Sequence, residues 1–208
     1  MPRQGPYPAE LEPEFLLRAY AAGFFPMDHG RRARGRVHWY APDPRAILPL
    51  DAPRIDRTLR RARTLPYARR IDTAFGEVMQ RCARWESKPG EVWISERFCE
   101  AYLELHERGF AHSFEAWDDD HLGAGLYGIA LGRAFMAESM FHDRPGAGAL
   151  VLAWSASHLR RHGFTLYDIQ MLSPHLERLG AIEISADEYL RRLNEALAPQ
   201  SASQELSD

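Results

Sequence analysis

At Ala111 the hydrophobic period of the chain changes from that of helices to that of strands. From there, 111–117, 122–131 and 133–140 read as three strands, separated by Asp118-Asp119-Asp120 and by Gly132. Runs of this length with turn residues between them predict an antiparallel meander. Helical spacing predicts helices over 13–22, 54–63, 72–84 and 96–108 before it. After it come a helix over 149–161, a strand over 164–170 and a helix opened by Ser173-Pro174. A last helix follows the capping box Ser185-Ala186-Asp187-Glu188. Strands interleaved with helices in this order predict an α+β fold, a mixed sheet flanked by helices.

Within the first helix Pro13 suits the opening turn, and Phe15, Leu16, Ala19 and Tyr20 form one apolar stripe ended by Gly23. Phe24-Phe25-Pro26-Met27 reads as an apolar turn, and 28–36 as a basic loop. Trp39-Tyr40-Ala41-Pro42-Asp43-Pro44-Arg45 must be extended or turned, because a residue before proline avoids the helical region. The boundary is placed there: a small N-terminal domain over 1–43, a main domain over 44–198, and a disordered tail over 199–208. A chain of 208 residues accommodates one main core and a smaller unit.

No run of about 18 apolar residues occurs, and the N-terminus lacks an apolar signal core, so a cytoplasmic protein is expected. Cys82 and Cys99 cannot make a disulfide framework and have no metal-site spacing. His106 and His112 are expected to be satisfied polar histidines.

Charge is unevenly placed. Residues 1–75 carry 14 Arg against 8 acidic residues, net +6, whereas 76–208 are net −9. Residues 31–70 alone hold 12 Arg against Asp43, Asp51 and Asp56, and Lys88 is the one lysine of the chain. Guanidinium groups bind phosphate bidentately and stack on bases, so the stripe suits nucleic acid. A coding bias toward Arg on a solvated face accounts for the residue type but not for the crowding.

Two segments carry groups capable of chemistry. Asp168 and Gln170 flank Ile169 at a strand end, two apart and therefore on one side. They form either a site or the polar cap of a turn. Glu138 lies in the apolar run Phe135-Met136-Ala137-Glu138-Ser139-Met140-Phe141 and must find a partner or a polar pocket. Core bonding to backbone amides and a functional role both remain open for it. Ser139 lacks the GxSxG frame of a hydrolase nucleophile. Gly123, Gly125, Gly128 and Gly132 either admit a ligand or relieve a crowded sheet.

Taken together, nine segments resemble the leucyl/phenylalanyl-tRNA–protein transferases. They are Ala19-Tyr20 through Gly23-Phe24-Phe25-Pro26, the Trp39–Arg45 stretch, Trp93-Ile94-Ser95, 101–107, 111–117, Leu126-Tyr127-Gly128, Glu138-Ser139-Met140-Phe141, Asp168-Ile169-Gln170 and 175–181. They fall in family order over about residues 13–190. The resemblance implies a small N-terminal domain packed on an acetyltransferase-like α+β domain. It further implies transfer of Leu or Phe (Met is a further candidate donor) from aminoacyl-tRNA to an N-terminal Arg or Lys, marking the acceptor for N-degron degradation. The ester is already activated, so no cofactor or metal is implied, and the task is positioning and oxyanion stabilisation.

In that frame Asp168, Gln170 and Glu138 are the catalytic set. The Gln170 carbonyl would orient the attacking amine, Asp168 would hold that carboxamide, and Glu138 would bind the α-amino group. Trp93, Tyr127, Phe135, Met140 and Ile169 would form the apolar pocket, with Met27 and Ser139 in the same substrate-binding group. Arg57, Arg60, Arg61 and Arg144 would contact tRNA, and the acidic half would suit a basic N-terminus. Oligomeric state stays open, a monomer being the simpler case.

The chain departs from the family at Met27, where Trp is usual, in a short N-terminus, and at 144–149, where Arg144-Pro145-Gly146-Ala147-Gly148-Ala149 replaces an Ala-Ser-Lys stretch. That last segment motivates an alternative, an acyl-CoA-dependent N-acyltransferase, although its glycines come one position early. A non-catalytic tRNA-binding module is the third class.

Overall fold

The structure, a computed structural model, describes residues 3–4, 11–28, 37–85 and 94–199. Its elements are β1 (Arg3–Gln4), α1 (Pro13–Ala21), β2 (Phe25–Asp28), β3 (Val37–Ala41), β4 (Arg45–Ile47), α2 (Pro53–Ala62), β5 (Ala68–Ile71) and α3 (Phe75–Trp85). They continue with α4 (Glu96–Glu107), β6 (Ala111–Asp118), β7 (His121–Leu131), β8 (Ala134–His142), α5 (Ala147–Arg161), β9 (Leu166–Gln170), α6 (Pro174–Leu179), β10 (Ile182–Ile184) and α7 (Ala186–Leu197).

The expected meander is β6-β7-β8, at the heart of a seven-stranded sheet ordered β10-β4-β9-β8-β7-β6-β5. Strands β8 and β9 run parallel, joined by the α5 crossover, and the other described neighbours are antiparallel. A second sheet, β1-β3-β2, belongs to the N-terminal segment. The fold is therefore α+β with a mixed sheet covered by helices on both faces.

Alternation along the strands sends side chains to two separate cores. On one face Ile47, Tyr127, Ile129, Met136 and Phe141 meet α1, α3, α4 and α7 through Leu16, Tyr20, Phe75, Phe98 and Leu193. On the other Phe114, Leu126, Phe135, Tyr167 and Ile169 meet α2, α5 and α6 through Ile55, Leu150, Trp154 and Leu179. Phe25 and Trp39 of the small sheet share the first of these clusters, so the N-terminal segment is packed into the main domain's core.

Several short elements differ from expectation. The apolar turn at Phe24–Met27 is instead strand β2, paired along β3 from Phe25↔Tyr40 to Asp28↔Val37. Strands β4, β5 and β10 are invisible to sequence pattern, because runs of three or four residues show no measurable alternation. Ser173 and Ser185 cap their helices, accepting from Leu176 N–H and Glu188 N–H at 3.3 Å. Ser95 occupies the N-cap position of α4, but its hydroxyl makes no cap bond.

Helix α1 closes on Gly23 at φ +85, where Gly23 N–H donates to Tyr20 O and Phe24 N–H to Ala19 O, each at 2.9 Å. Among the described residues no helix is long and apolar enough to cross a membrane. The basic loop expected at 28–36 (beyond Asp28), Trp93, Lys88 and the tail from residue 200 lie outside the described residues.

Candidate active site

The parallel ladder between β8 and β9 is short. It pairs Ala134↔Leu166, Phe135↔Tyr167 and Met136↔Asp168, and no pair is formed beyond although both strands continue. Where they part, a cleft of about 230 Å³ opens. Ala137, Glu138, Ser139 and Met140 line one side, and Ile169 and Gln170 the other. Leu126, Leu152, Ser173, His175 and Leu176 complete the walls.

Irregular backbone at both edges aims the polar groups. Tyr127 pairs with Ser139 but Gly128 with Ala137, so Glu138 is an extra residue, a bulge on β8. Gly128 is required opposite it, since a Cβ there would collide with the Met136 carbonyl oxygen. On the far edge β4 meets β9 as Ala46↔Gln170 and Ile47↔Asp168, which makes Ile169 a second bulge. Gln170 itself takes φ +57, in the left-handed region, and Met171 N–H closes a tight turn onto Ile169 O at 2.6 Å.

Glu138 is the centre of the first polar network. Gln170 Nε2 donates to its Oε1 at 3.1 Å, and Tyr102 Oη to its Oε2 at 3.2 Å. Tyr102 is hydrogen-bonded in turn to Tyr20 of α1. Burial among these rings pushes the Glu138 carboxyl up to about 8, with Asp168 adding to the rise and the tyrosine bonds opposing it. Burial also raises both tyrosines well above their ordinary range, Glu138 adding to the effect.

Asp168 is the centre of the second. Its carboxylate is fully buried and accepts from Arg45 Nε at 2.9 Å, Arg45 Nη2 at 2.5 Å, Tyr189 Oη at 2.8 Å and the Gln170 backbone N–H at 2.9 Å. Arg45, 1% exposed, also donates to the Gly23 carbonyl at 3.2 Å and lies between the rings of Phe25 and Tyr189. Burial alone would lower the Arg45 guanidinium's proton affinity, but the facing carboxylate raises it on balance. Helix α1 and the turn that ends it thus reach both networks, through Tyr20 and through Gly23.

The expected catalytic trio is brought together, but the strand alternation that would put Asp168 and Gln170 on one side fails at the Ile169 bulge, so Ile169 and Gln170 line the cleft. The Gln170 carboxamide is held by Glu138, and Asp168 instead grips the Gln170 main chain and Arg45. Asp168 stands behind the cleft and does not line it. Of the expected pocket residues, Met140, Ile169 and Ser139 line the cleft. Tyr127 lies under Tyr102, ring centroids 5.8 Å apart, and Phe135 is packed between Phe114 and Tyr167. Met27 is on β2, opposite His38 in the small sheet.

Arg57, Arg60 and Arg61 are exposed along α2, opposite the buried Ile55, with Arg69 and Arg70 exposed on β5. Arg144 is half-exposed and paired with Asp118 at 3.0 Å. His106 bonds the Ala111 carbonyl and His112 bonds Asp72.

Arg45, Tyr20, Tyr102, Tyr189 and His175 are the site residues that sequence reasoning missed. In the sequence Arg45 counts as one more cation of the basic stripe. One signal points elsewhere: like Glu138, it is a charge joined to an apolar run, Arg45-Ala46-Ile47-Leu48. Tyr189 and His175 carry no comparable mark.

Comparison with known proteins is consistent over nearly the whole chain. A family model described as leucyl/phenylalanyl-tRNA protein transferase matches residues 47–194, and that of the same family's N-terminal domain matches 9–43. A leucyl/phenylalanyl-tRNA–protein transferase of Rubrobacter xylanophilus is 48% identical over 189 residues, 90% of this chain and 95% of that protein. Those of Akkermansia muciniphila and Chlorobaculum parvum are 46% and 45% identical, over 91% and 90% of this chain and 98% and 96% of theirs. Among solved structures, L-PGS from Bacillus licheniformis aligns with a TM-score of 0.45 at 9% identity, over 91% of this chain and 71% of that one.

Proposed function

The chain belongs to the leucyl/phenylalanyl-tRNA–protein transferase family, an aminoacyltransferase family, and we propose that the cleft between β8 and β9 is where its transfer takes place. The donor is leucyl- or phenylalanyl-tRNA and the acceptor is the N-terminal Arg or Lys of a protein. The acceptor is thereby marked for N-degron degradation in the cytoplasm. The observation that carries this reading is the Gln170–Glu138 hydrogen bond in a cleft whose other walls are largely aliphatic.

Leu126, Met140, Leu152, Ile169 and Leu176 supply walls for an aliphatic or aromatic donor side chain. Glu138 receives the donor's α-amino group. Because the Gln170 NH₂ is engaged by Glu138, the carboxamide oxygen is the group left to accept from an attacking amine. Asp168 does not enter the cleft. With Arg45 and Tyr189 it fixes the turn that presents Gln170. The net −9 of residues 76–208 favours a basic acceptor.

The arginines of α2 lie on the layer that walls the cleft, since α2 packs on α5 and α6. They serve the phosphates of tRNA. An acyl-CoA donor has weaker support, because Arg144, the cation of its loop, is already paired with Asp118.

Incubating the protein with labelled Leu-, Phe- or Met-tRNA and a peptide with N-terminal Arg, with acetyl-CoA in parallel, tests the reading. Label should pass to the peptide from Leu- or Phe-tRNA and be lost with Gln170→Ala. Acylation from acetyl-CoA alone would overturn it.

A further inference from the structure

Resting on that reading of the cleft, we propose that His175 is a catalytic residue of the transfer, carrying a proton from the attacking amine to the departing ribose oxygen. Aminolysis of an ester requires such a movement. The amine nitrogen forms a bond to the carbonyl carbon and becomes positively charged. The C–O bond to the ribose then breaks, and the ribose leaves as an alkoxide unless it is protonated. One proton moved from nitrogen to that oxygen balances the step, giving a peptide bond and a free ribose hydroxyl on the tRNA.

Among the residues that line the cleft, Glu138 and His175 are the two that ionise. Glu138 is already engaged by Tyr102 and Gln170, on the β8 side. A carboxamide such as that of Gln170 does not take up protons. His175 lines the same cleft from another element, in the first turn of α6, and is exposed. Among the described residues no hydrogen bond occupies either of its ring nitrogens. The proposal seats the donor's amine on Glu138 and its ribose oxygen at the exposed imidazole of the same lining.

The platform beneath the imidazole is fixed. Ser173 Oγ accepts from Leu176 N–H at 3.3 Å. Arg54 of α2 donates to the carbonyls of Glu177 and Arg178 at 3.2 and 3.4 Å. Of the charged and titratable groups on the packed elements, Arg178 on α6 and His142 on β8 act on the ring; Glu138 on β8 shares the cleft lining, Glu177 is on the same helix and Arg54 of α2 holds that helix's carbonyls. Partial burial, then Arg178 and His142, hold the imidazole below its ordinary value, so it is neutral near pH 7 and ready to accept.

The test is transfer of Phe from Phe-tRNA to an Arg-N-terminal peptide by wild type, His175→Ala and His175→Asn across pH 5.5 to 8. Both variants lie on an exposed helix turn, which spares the core. The expected result is a fall in kcat of about 100-fold with KM for Phe-tRNA changed by less than about 3-fold. Wild-type kcat should carry an acid-side ionisation, beyond that of the peptide's own amine, that both variants lack. Free imidazole should restore part of the His175→Ala rate. A His175→Ala kcat within about 3-fold of wild type would overturn the proposal, as would an unchanged acid-side ionisation or a loss that imidazole does not rescue. A wild-type protein that transfers nothing would instead overturn the reading of the cleft on which the proposal rests.

Discussion

Arg45 and Asp168 meet through two parallel hydrogen bonds, Nε to Oδ1 at 2.9 Å and Nη2 to Oδ2 at 2.5 Å, with neither side chain more than 1% exposed. The pair joins β4 to the end of β9, and Tyr189 of α7 closes it from a third element. Removing either partner strands a buried charge, which typically costs about 3–5 kcal/mol. Arg45→Ala and Asp168→Ala should therefore each lower the unfolding midpoint markedly. Because Asp168 lies behind the cleft, the fraction of Asp168→Ala that remains folded should still bind tRNA while transferring poorly. Denaturant unfolding with filter binding and transfer on the same samples checks this. A variant as stable as wild type would contradict the buried pair.

Glu138 should make stability fall as pH rises. Its carboxyl is held at about 8 in the folded protein against 4.5 ordinarily. Between those values the folded state retains a proton that the unfolded state has released, so raising the pH favours unfolding. The contribution is complete below about pH 4.5 and lost by about pH 8. Glu138→Gln removes the ionisation. Its urea midpoint should gain on wild type between pH 5 and pH 8. A gap that stays constant with pH would contradict the shift.

Gly128→Ala should damage stability and transfer together. The added methyl would collide with the Met136 carbonyl and stand 2.6 Å from Phe135 Cζ, and neither can recede without moving the bulge that presents Glu138. Overpacking of this kind costs about 1–3 kcal/mol. Equilibrium unfolding reads the first effect and initial transfer rates the second.

The triple variant Arg57→Ala/Arg60→Ala/Arg61→Ala should fold normally, since all three side chains are exposed and such sites usually change stability by under about 0.5 kcal/mol. Its affinity for aminoacyl-tRNA should fall. The slope of log affinity against log salt should flatten by about 2–3, close to 0.9 for each phosphate no longer neutralised. A slope equal to wild type would return α2 to an ordinary solvated face.

The long elements are legible in the sequence because each repeats its pattern. Three strands and the helices α1, α2, α4 and α5 come within a few residues of their sequence boundaries. The short strands are not, since Arg45-Ala46-Ile47 and Ile182-Glu183-Ile184 hold too few residues to show alternation and pair only through partners remote in sequence. The site divides along the same line. Glu138 is visible as a charge inside an apolar run, and Asp168 and Gln170 as a polar pair at a strand end. Which group each one holds depends on two bulges, and bulges come from pairing register, which no local stretch encodes. Arg45 escapes assignment because a buried arginine and an exposed one look alike until the opposing carboxylate is located.

The parting of β8 and β9 is spanned by one connection, the fifteen-residue α5, and Leu152 on its inner side is part of the cleft wall. The room available to an incoming side chain is thus set by how closely a helix seats on the sheet, not by the acids and amides at the strand ends. Trimming or enlarging Leu152 would retune which amino acids are admitted and leave the polar apparatus intact, so preference and turnover are separable properties of this architecture.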